Sequence, residues 1–366
     1  MRGMTWNHPR GIAPLRAAAD VWHKRAGRSI EWDARSLQDF ETFPVEELAE
    51  RYDLIVIDHP HVGAIAATGA LHPLDDHPDA AAGSIGGSYE SYRWEDRQWA
   101  LPIDAAAQVQ AWVPDRIAAA PTRWDEVLRL ADAGRVALPM RPPHSLMCLM
   151  SLCGLAGFTL DPSAERLFPG AAEAPAAQLI ELVRCVGLAA LERDPIAVLD
   201  AMASPRSPIA VAPLIYGYVS YAAQAAAPTR IAFADLIGVG LPRGSVLGGT
   251  GIAVSSRGRD IAAATDFARW LASGEVQRTI VARNGGQPAH ALAWADAEVN
   301  EASAGFYANT RATLDGAWVR PRHSGYMRFQ DEGSAIINDA IRAGLSAECM
   351  IDDLNAAWRI SRPTSV

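Results

Sequence analysis

Two short loops set histidine beside proline, Asn7-His8-Pro9-Arg10 and Asp58-His59-Pro60-His61. Imidazoles titrate near neutrality, so these side chains suit hydrogen bonding to hydroxyls or acid–base work. Arg10 adds a planar fork that matches a carboxylate or phosphate. The helical stretch that begins at Gly11-Ile12 offers backbone N–H groups of use to an anion. Trp6, directly before the first loop, presents an indole face on which a sugar ring can stack. Arg35 and Ser36 end the next strand-like segment, Asp104 and Gln108 follow Leu101-Pro102, and Tyr216 and Tyr218 follow an apolar strand. Thr250 lies in the turn Gly248-Gly249-Thr250-Gly251. Each also has a plainer role. His-Pro stops a strand and caps a helix, Asp104 suits a hinge, and a glycine run makes a tight turn into a strand. The expected ligand-binding set is Trp6, His8, Arg10, Arg35, Ser36, Asp58, His59, His61, Asp104, Gln108, Tyr216 and Thr250. His59→Ala and Arg10→Ala are expected to weaken binding by more than about 1 kcal/mol each while leaving the fold intact.

Other chemistries find less support. Asp58, His59, His61 and His8 are ligand types that zinc accepts. Side chains at i and i+2 around a proline need not converge, and no spacing supplies a fourth ligand, so neither metal nor cofactor is expected. No GxSxG elbow is present, and the nearest base to Cys148 in sequence is His144, four residues before it. Cys148, Cys153, Cys185 and Cys349 form neither a CxxC pair nor a zinc spacing, and three of them lie in apolar stretches that favour buried thiols.

Composition narrows the class further. At about 150 residues per domain, 366 residues suggest two domains or one large one, and 49% hydrophobic content supplies real cores. Charged residues make up 20% without long like-charge blocks, which excludes wholesale disorder. A net charge of -9 argues against nucleic acid as a partner. Lys24 is the single lysine among 33 basic residues and no GxxxxGK surrounds it, which removes P-loop NTPases and pyridoxal enzymes. The longest apolar run, 146–158, is too short to span a bilayer, so no membrane insertion is expected. The N-terminus enters strand-like sequence without an apolar leader core. The expectation is a soluble chain that stays in the cytoplasm, or one whose leader is missing from this sequence.

The elements that must position these residues alternate. Residues 3–6 read as a strand and 12–26 as an amphipathic helix with Leu15, Ala18, Ala19 and Trp22 on one side. Residues 29–32 form a second strand and 45–51 a short helix. Residues 52–58 are a continuous apolar run, as in a parallel strand covered on both faces, and 62–69 resume a helix. This order implies a parallel α/β sheet with right-handed crossovers. Ligands bind beyond the carboxyl ends of such strands. The loops after the first and third strands therefore share one edge, which brings His8 and Arg10 near Asp58, His59 and His61. Later come a capped helix from Thr122, a strand at 209–214, the glycine turn into 252–254, and helices to about residue 357.

Several stretches in this order resemble one family. They are the run to Asp58 followed by Gly69-Ala70-Leu71-His72-Pro73-Leu74, then Arg97-Gln98-Trp99-Ala100-Leu101-Pro102 with 109–115, and Pro121-Thr122-Arg123-Trp124-Asp125-Glu126. The stretch 248–256 with 262–271 and the turn Gly285-Gly286-Gln287-Pro288 complete the set. Together they resemble the extracellular solute-binding proteins of ABC importers, in the carbohydrate-binding, maltose-binding-protein-like group. The resemblance implies a type II periplasmic-binding-protein-like fold, two α/β lobes joined by a hinge of crossing strands. It also implies a small-molecule ligand between the lobes, an ABC permease as partner, and a periplasmic or extracellular location. The expected division is 1–110 plus 245–320 for the first lobe, 111–244 for the second, and 321–366 as C-terminal helices packing on the lobes, with the protein a monomer. The two His-Pro loops stand outside the family pattern. They keep open an alternative, a cytoplasmic enzyme on the same fold using His8, Asp58, His59 or His61 as acid/base groups on an anionic small molecule.

Overall fold

A computed structural model describes residues 1–36, 45–74, 77–158, 160–223, 229–237 and 244–362. Its elements in chain order are β1 (Arg2–Trp6), α1 (Pro9–Ala26), β2 (Glu31–Arg35), β3 (Leu54–Asp58), α2 (Val62–Ala66), β4 (Leu71–His72), β5 (Arg93–Trp94), β6 (Arg97–Gln98) and β7 (Leu101–Trp112). There follow α3 (His144–Leu155), α4 (Glu173–Val186), β8 (Val211–Tyr216), β9 (Ala232–Ala234), β10 (Leu247–Ser255), α5 (Ile261–Ala272), α6 (Tyr326–Ala343) and α7 (Ala347–Ser361), among shorter helices. The chain forms two compact units. The first comprises Met1–Ala106, Tyr218–Ser220 and Gly248–Ala308, and the second Ala107–Gly217, Tyr221–Leu247 and Asn309–Val366.

In the first unit β1 is parallel to β2, with Trp6 opposite Arg35, and to β3, with Met4 opposite Ile55. β10 runs antiparallel along β3 and sets Thr250 opposite Asp58. The four residues Leu54, Ile55, Val56 and Ile57 are all buried, as in a strand covered on both faces. From α1, Leu15, Ala18, Ala19 and Trp22 enter the core, as the helical period requires. From α5, Phe267 meets Trp22 with ring centroids 5.5 Å apart. Helix α1 starts on Pro9, where a missing N–H costs nothing, and stops at Gly27 in the left-handed conformation.

In the second unit the latter half of β7 lies between β8, with Gln108 opposite Tyr216, and β9, with Gln110 opposite Ala234. A parallel bridge joins Val136 to Val211 at the start of β8. Helix α3 is buried almost all round, which its uniformly apolar sequence demands. Phe329, Leu354 and Trp358 of α6 and α7 join Leu146, Leu149 and Leu182 in the same core. Residues 309–366 fall in the second unit, where the apolar faces of α6 and α7 pack with α3 and α4. Among the described residues no helix is long and apolar enough to cross a membrane.

Candidate ligand-binding rim

The parallel registers bring the carboxyl ends of β2, β1 and β3 into line, so Arg35, Trp6 and Asp58 stand along one edge with Thr250 beside Asp58. Both His-Pro loops leave this edge. The first is tied down where Asn7 N–H donates to the Arg35 carbonyl at 2.5 Å. His8 caps α1, its Nδ1 accepting from the Arg10 N–H at 3.1 Å, and its ring meets the edge of Tyr218 at 5.0 Å. In the second loop the Asp58 carboxylate accepts from the His59 N–H at 2.8 Å and lies 3.3 Å from His59 Nδ1. His59 is buried and its ring stands 6.2 Å from Tyr92, whereas His8, Asp58 and His61 are half-buried, as is Arg35, and Ser36 is exposed. Among the described residues no group of three His, Cys, Asp or Glu side chains converges as a metal site.

Beneath the rim, Arg10 and Asp104 are both buried and meet as a two-point ion pair, Nε to Oδ2 at 2.7 Å and Nη2 to Oδ1 at 2.5 Å. The Arg10 guanidinium also lies 4.7 Å from the Tyr218 ring centre. Burial opposes the Arg10 charge, but the Asp104 carboxylate outweighs it and the net direction is upward. Burial lifts Asp104 above the usual carboxylate range, Arg10 opposing and Asp58 adding a smaller push. A guanidinium does not deprotonate in a protein, so Arg10 keeps its charge against Asp104. The Arg10 fork therefore embraces Asp104. The expectation that Arg10→Ala spares the fold is revised, since a lone buried carboxylate costs about 3–5 kcal/mol.

Long-range staples hold this arrangement. Gln287 donates from Nε2 to the Ala105 carbonyl at 2.8 Å, and its Oε1 accepts from the Val219 N–H at 3.1 Å. The segment Tyr218–Ser220 is thereby fastened beside β7. Gly249 has φ +105°, and a Cβ there would lie 2.3 Å from the Asp104 carbonyl oxygen, so glycine is required. Gly251 leaves room for the Tyr92 ring, whose hydroxyl donates to the Ile57 carbonyl at 3.3 Å. The Tyr307 hydroxyl donates to the Gly286 carbonyl at 3.0 Å, and burial pushes this phenol upward. A void of only about 10 Å³ remains among Trp6, Arg10, Asp104, Thr250 and Gln287, no more than one water needs. Trp6 and Thr250 are thus inner-wall residues. Tyr92, Gln287 and Tyr307 escaped the sequence reading, and only Gln287 had a visible mark, the turn at 285–288.

The second unit places Gln108 and Tyr216. Gln108 is fully buried, its Oε1 accepting from Ser151 Oγ at 2.7 Å and its carbonyl from Ser245 Oγ at 2.6 Å. It is an interior residue of this unit. Tyr216 ends β8 with its ring 6.1 Å from that of His144. His144 opens α3 after the segment that pairs in parallel with the start of β8 (Ala137 N–H to the Val211 carbonyl, 3.0 Å). Both rings therefore stand past the carboxyl ends of neighbouring parallel segments, the position that favours ligands. Burial brings the His144 imidazole down to about 4, with Asp194 opposing and Arg320 and Arg141 adding to the drop. Burial lifts the Cys148 and Cys153 thiols to about 12, so neither provides a thiolate at neutral pH.

A model of bacterial extracellular solute-binding proteins matches residues 46–306. No curated protein sequence matches the chain. Among solved structures, maltose-bound T. maritima MalE3 superposes with a TM-score of 0.83 at 17% identity, covering 98% of this chain and 99% of that one. The ABC transporter solute-binding protein from Thermotoga lettingae TMO, bound with α-D-tagatose, gives 0.82 at 17% identity, covering 98% of each chain. The GacH receptor of Streptomyces glaucescens, solved unliganded and with acarbose, gives 0.80 at 16% identity, covering 99% of this chain and 97% of its own. These likenesses establish the α/β fold of the type II periplasmic binding proteins. With well over half of its length matched by the family model, the chain belongs to the bacterial extracellular solute-binding proteins.

Proposed function

We propose that the protein captures a small polyhydroxylated solute, a sugar or an organic acid, and delivers it as a monomer to the permease of an ABC importer. One observation carries the site: His8, Asp58 and His61 lie accessible along the carboxyl edge of one parallel sheet, above a scaffold that buries its own charges. On this reading His8, Arg35, Ser36, Asp58 and His61 supply hydrogen bonds and Tyr216 a ring face. His59 steadies Asp58. Arg10, Asp104, Trp6, Thr250 and Gln108 support the site from behind. The maltose, tagatose and acarbose bound by structurally similar proteins favour a ligand rich in hydroxyls.

The test is a thermal-shift screen of sugars, polyols and sugar acids, followed by calorimetry on each hit and chromatography of the recovered ligand. At least one compound should stabilise the protein saturably and return unchanged. Asp58→Ala should then weaken it by about tenfold or more, the worth of a hydrogen bond to a charged group, with Tm of the free protein little altered. Turnover of the ligand, or unchanged affinity in Asp58→Ala, would overturn this assignment.

A further inference from the structure

The start of α3 in the second unit gathers features that bear on the charge of the solute. His144 is 7% exposed, and its Nδ1 is buried without a hydrogen-bond partner. A buried polar atom left this way calls for a partner from outside the chain. His144 is also the first residue of a twelve-residue helix whose start has no side-chain cap and whose first turn contains no acid. The N–H groups of such an end carry partial positive charge. The charged groups that act on the ring are Asp194, Arg320 and Arg141. Asp194 already accepts from the Ala197 N–H at 2.8 Å and lies 3.9 Å from Arg141, and Arg320, 5% exposed, donates to Gln330 at 2.9 Å. Arg141 and Arg320 are the cations that act on this ring, and the Tyr216 ring stands 6.1 Å from it.

We propose that this corner receives the anionic group of the solute, a carboxylate or phosphate, so that the ligand is a sugar acid or sugar phosphate in preference to a neutral sugar. The inference rests on the solute-binding reading above. Helix N–H groups and guanidinium groups are the donors that anions select, and Nδ1 of a neutral imidazole completes the set in the tautomer that carries its proton there. The depressed affinity of the ring for a second proton keeps it in that neutral form at physiological pH.

Calorimetry with D-glucuronate, D-gluconate and D-glucose 6-phosphate, each beside its neutral parent D-glucose or D-glucitol, tests the inference. At least one acid should bind ten times or more tighter than its parent, and the arm that responds separates carboxylate from phosphate. Arg141→Gln, a change at a half-exposed side chain, should erase most of that preference while Tm of the free protein holds. Neutral parents that bind as tightly as their acids would overturn the inference and leave the solute-binding reading standing. A preference undiminished in Arg141→Gln would remove the anion from this corner. Failure of every acid and every neutral sugar or polyol would defeat both readings.

Discussion

Arg10 and Asp104, 94 residues apart in sequence, close on each other as a buried two-point ion pair directly below the loop that carries His8. Neither charge reaches solvent. Removing one alone therefore differs in kind from removing both. Arg10→Ala should destabilise the protein by about 3–5 kcal/mol, and the double change Arg10→Met with Asp104→Leu by clearly less. Urea unfolding of the three proteins decides it. Equal losses in the single and double variants would show that packing, not the stranded charge, dominates.

Stability should fall as pH drops from about 6.5 toward 4. The folded His144 ring takes its proton near 4, below the value of about 6.5 for a free imidazole. Between those values the unfolded chain binds the proton and the folded one does not, so the contribution is complete above the window and lost through it. Its full size is about 3 kcal/mol by linkage. Urea midpoints at pH 7.5, 6, 5 and 4.5 should decline in the native sequence, with a shallower decline in His144→Gln. Parallel declines would assign the effect to other groups.

Gly249 should tolerate no side chain. At φ +105° with the Asp104 carbonyl 2.3 Å from an added Cβ, alanine must shift β10 against β7. Gly249→Ala should cost about 1–3 kcal/mol. Thermal melting beside Gly27→Ala, where no atom lies within 4 Å of the added carbon, separates steric from conformational cost. If the two losses match, the close approach has no energetic consequence.

Thiol titration should divide the cysteines by burial. Cys349 is exposed and Cys185 half-buried, whereas Cys148 and Cys153 are buried with thiols lifted to about 12. A disulfide reagent at pH 8 should modify Cys349 first and Cys185 more slowly, and the other two only in denaturant. Rapid modification of Cys148 in the folded protein would contradict its placement.

The first unit was legible where the signal is local. The run 54–57 reads as a doubly covered strand, and the period of α1 names its buried face. The topological rule for parallel sheets then sufficed to put both His-Pro loops on one edge. The partner of Arg10 stayed hidden because nothing near it in sequence announces Asp104, and a fork for an outside anion and a fork for an inside carboxylate are written identically. Gln287 and Val219 meet through a staple between distant segments, which no periodicity encodes. The helices α6 and α7 showed their period but not the core they would complete, since apolar faces do not name their partners.

The ion pair also shapes how this chain can diversify. Substitution at Arg10 or Asp104 alone strands the other, so drift at these two positions must proceed in concert or not at all. His8, Ser36 and His61 instead occupy loops that begin where β1, β2 and β3 have already ended. Selection for a new cargo can therefore rewrite the loops while the masonry beneath them stays the same.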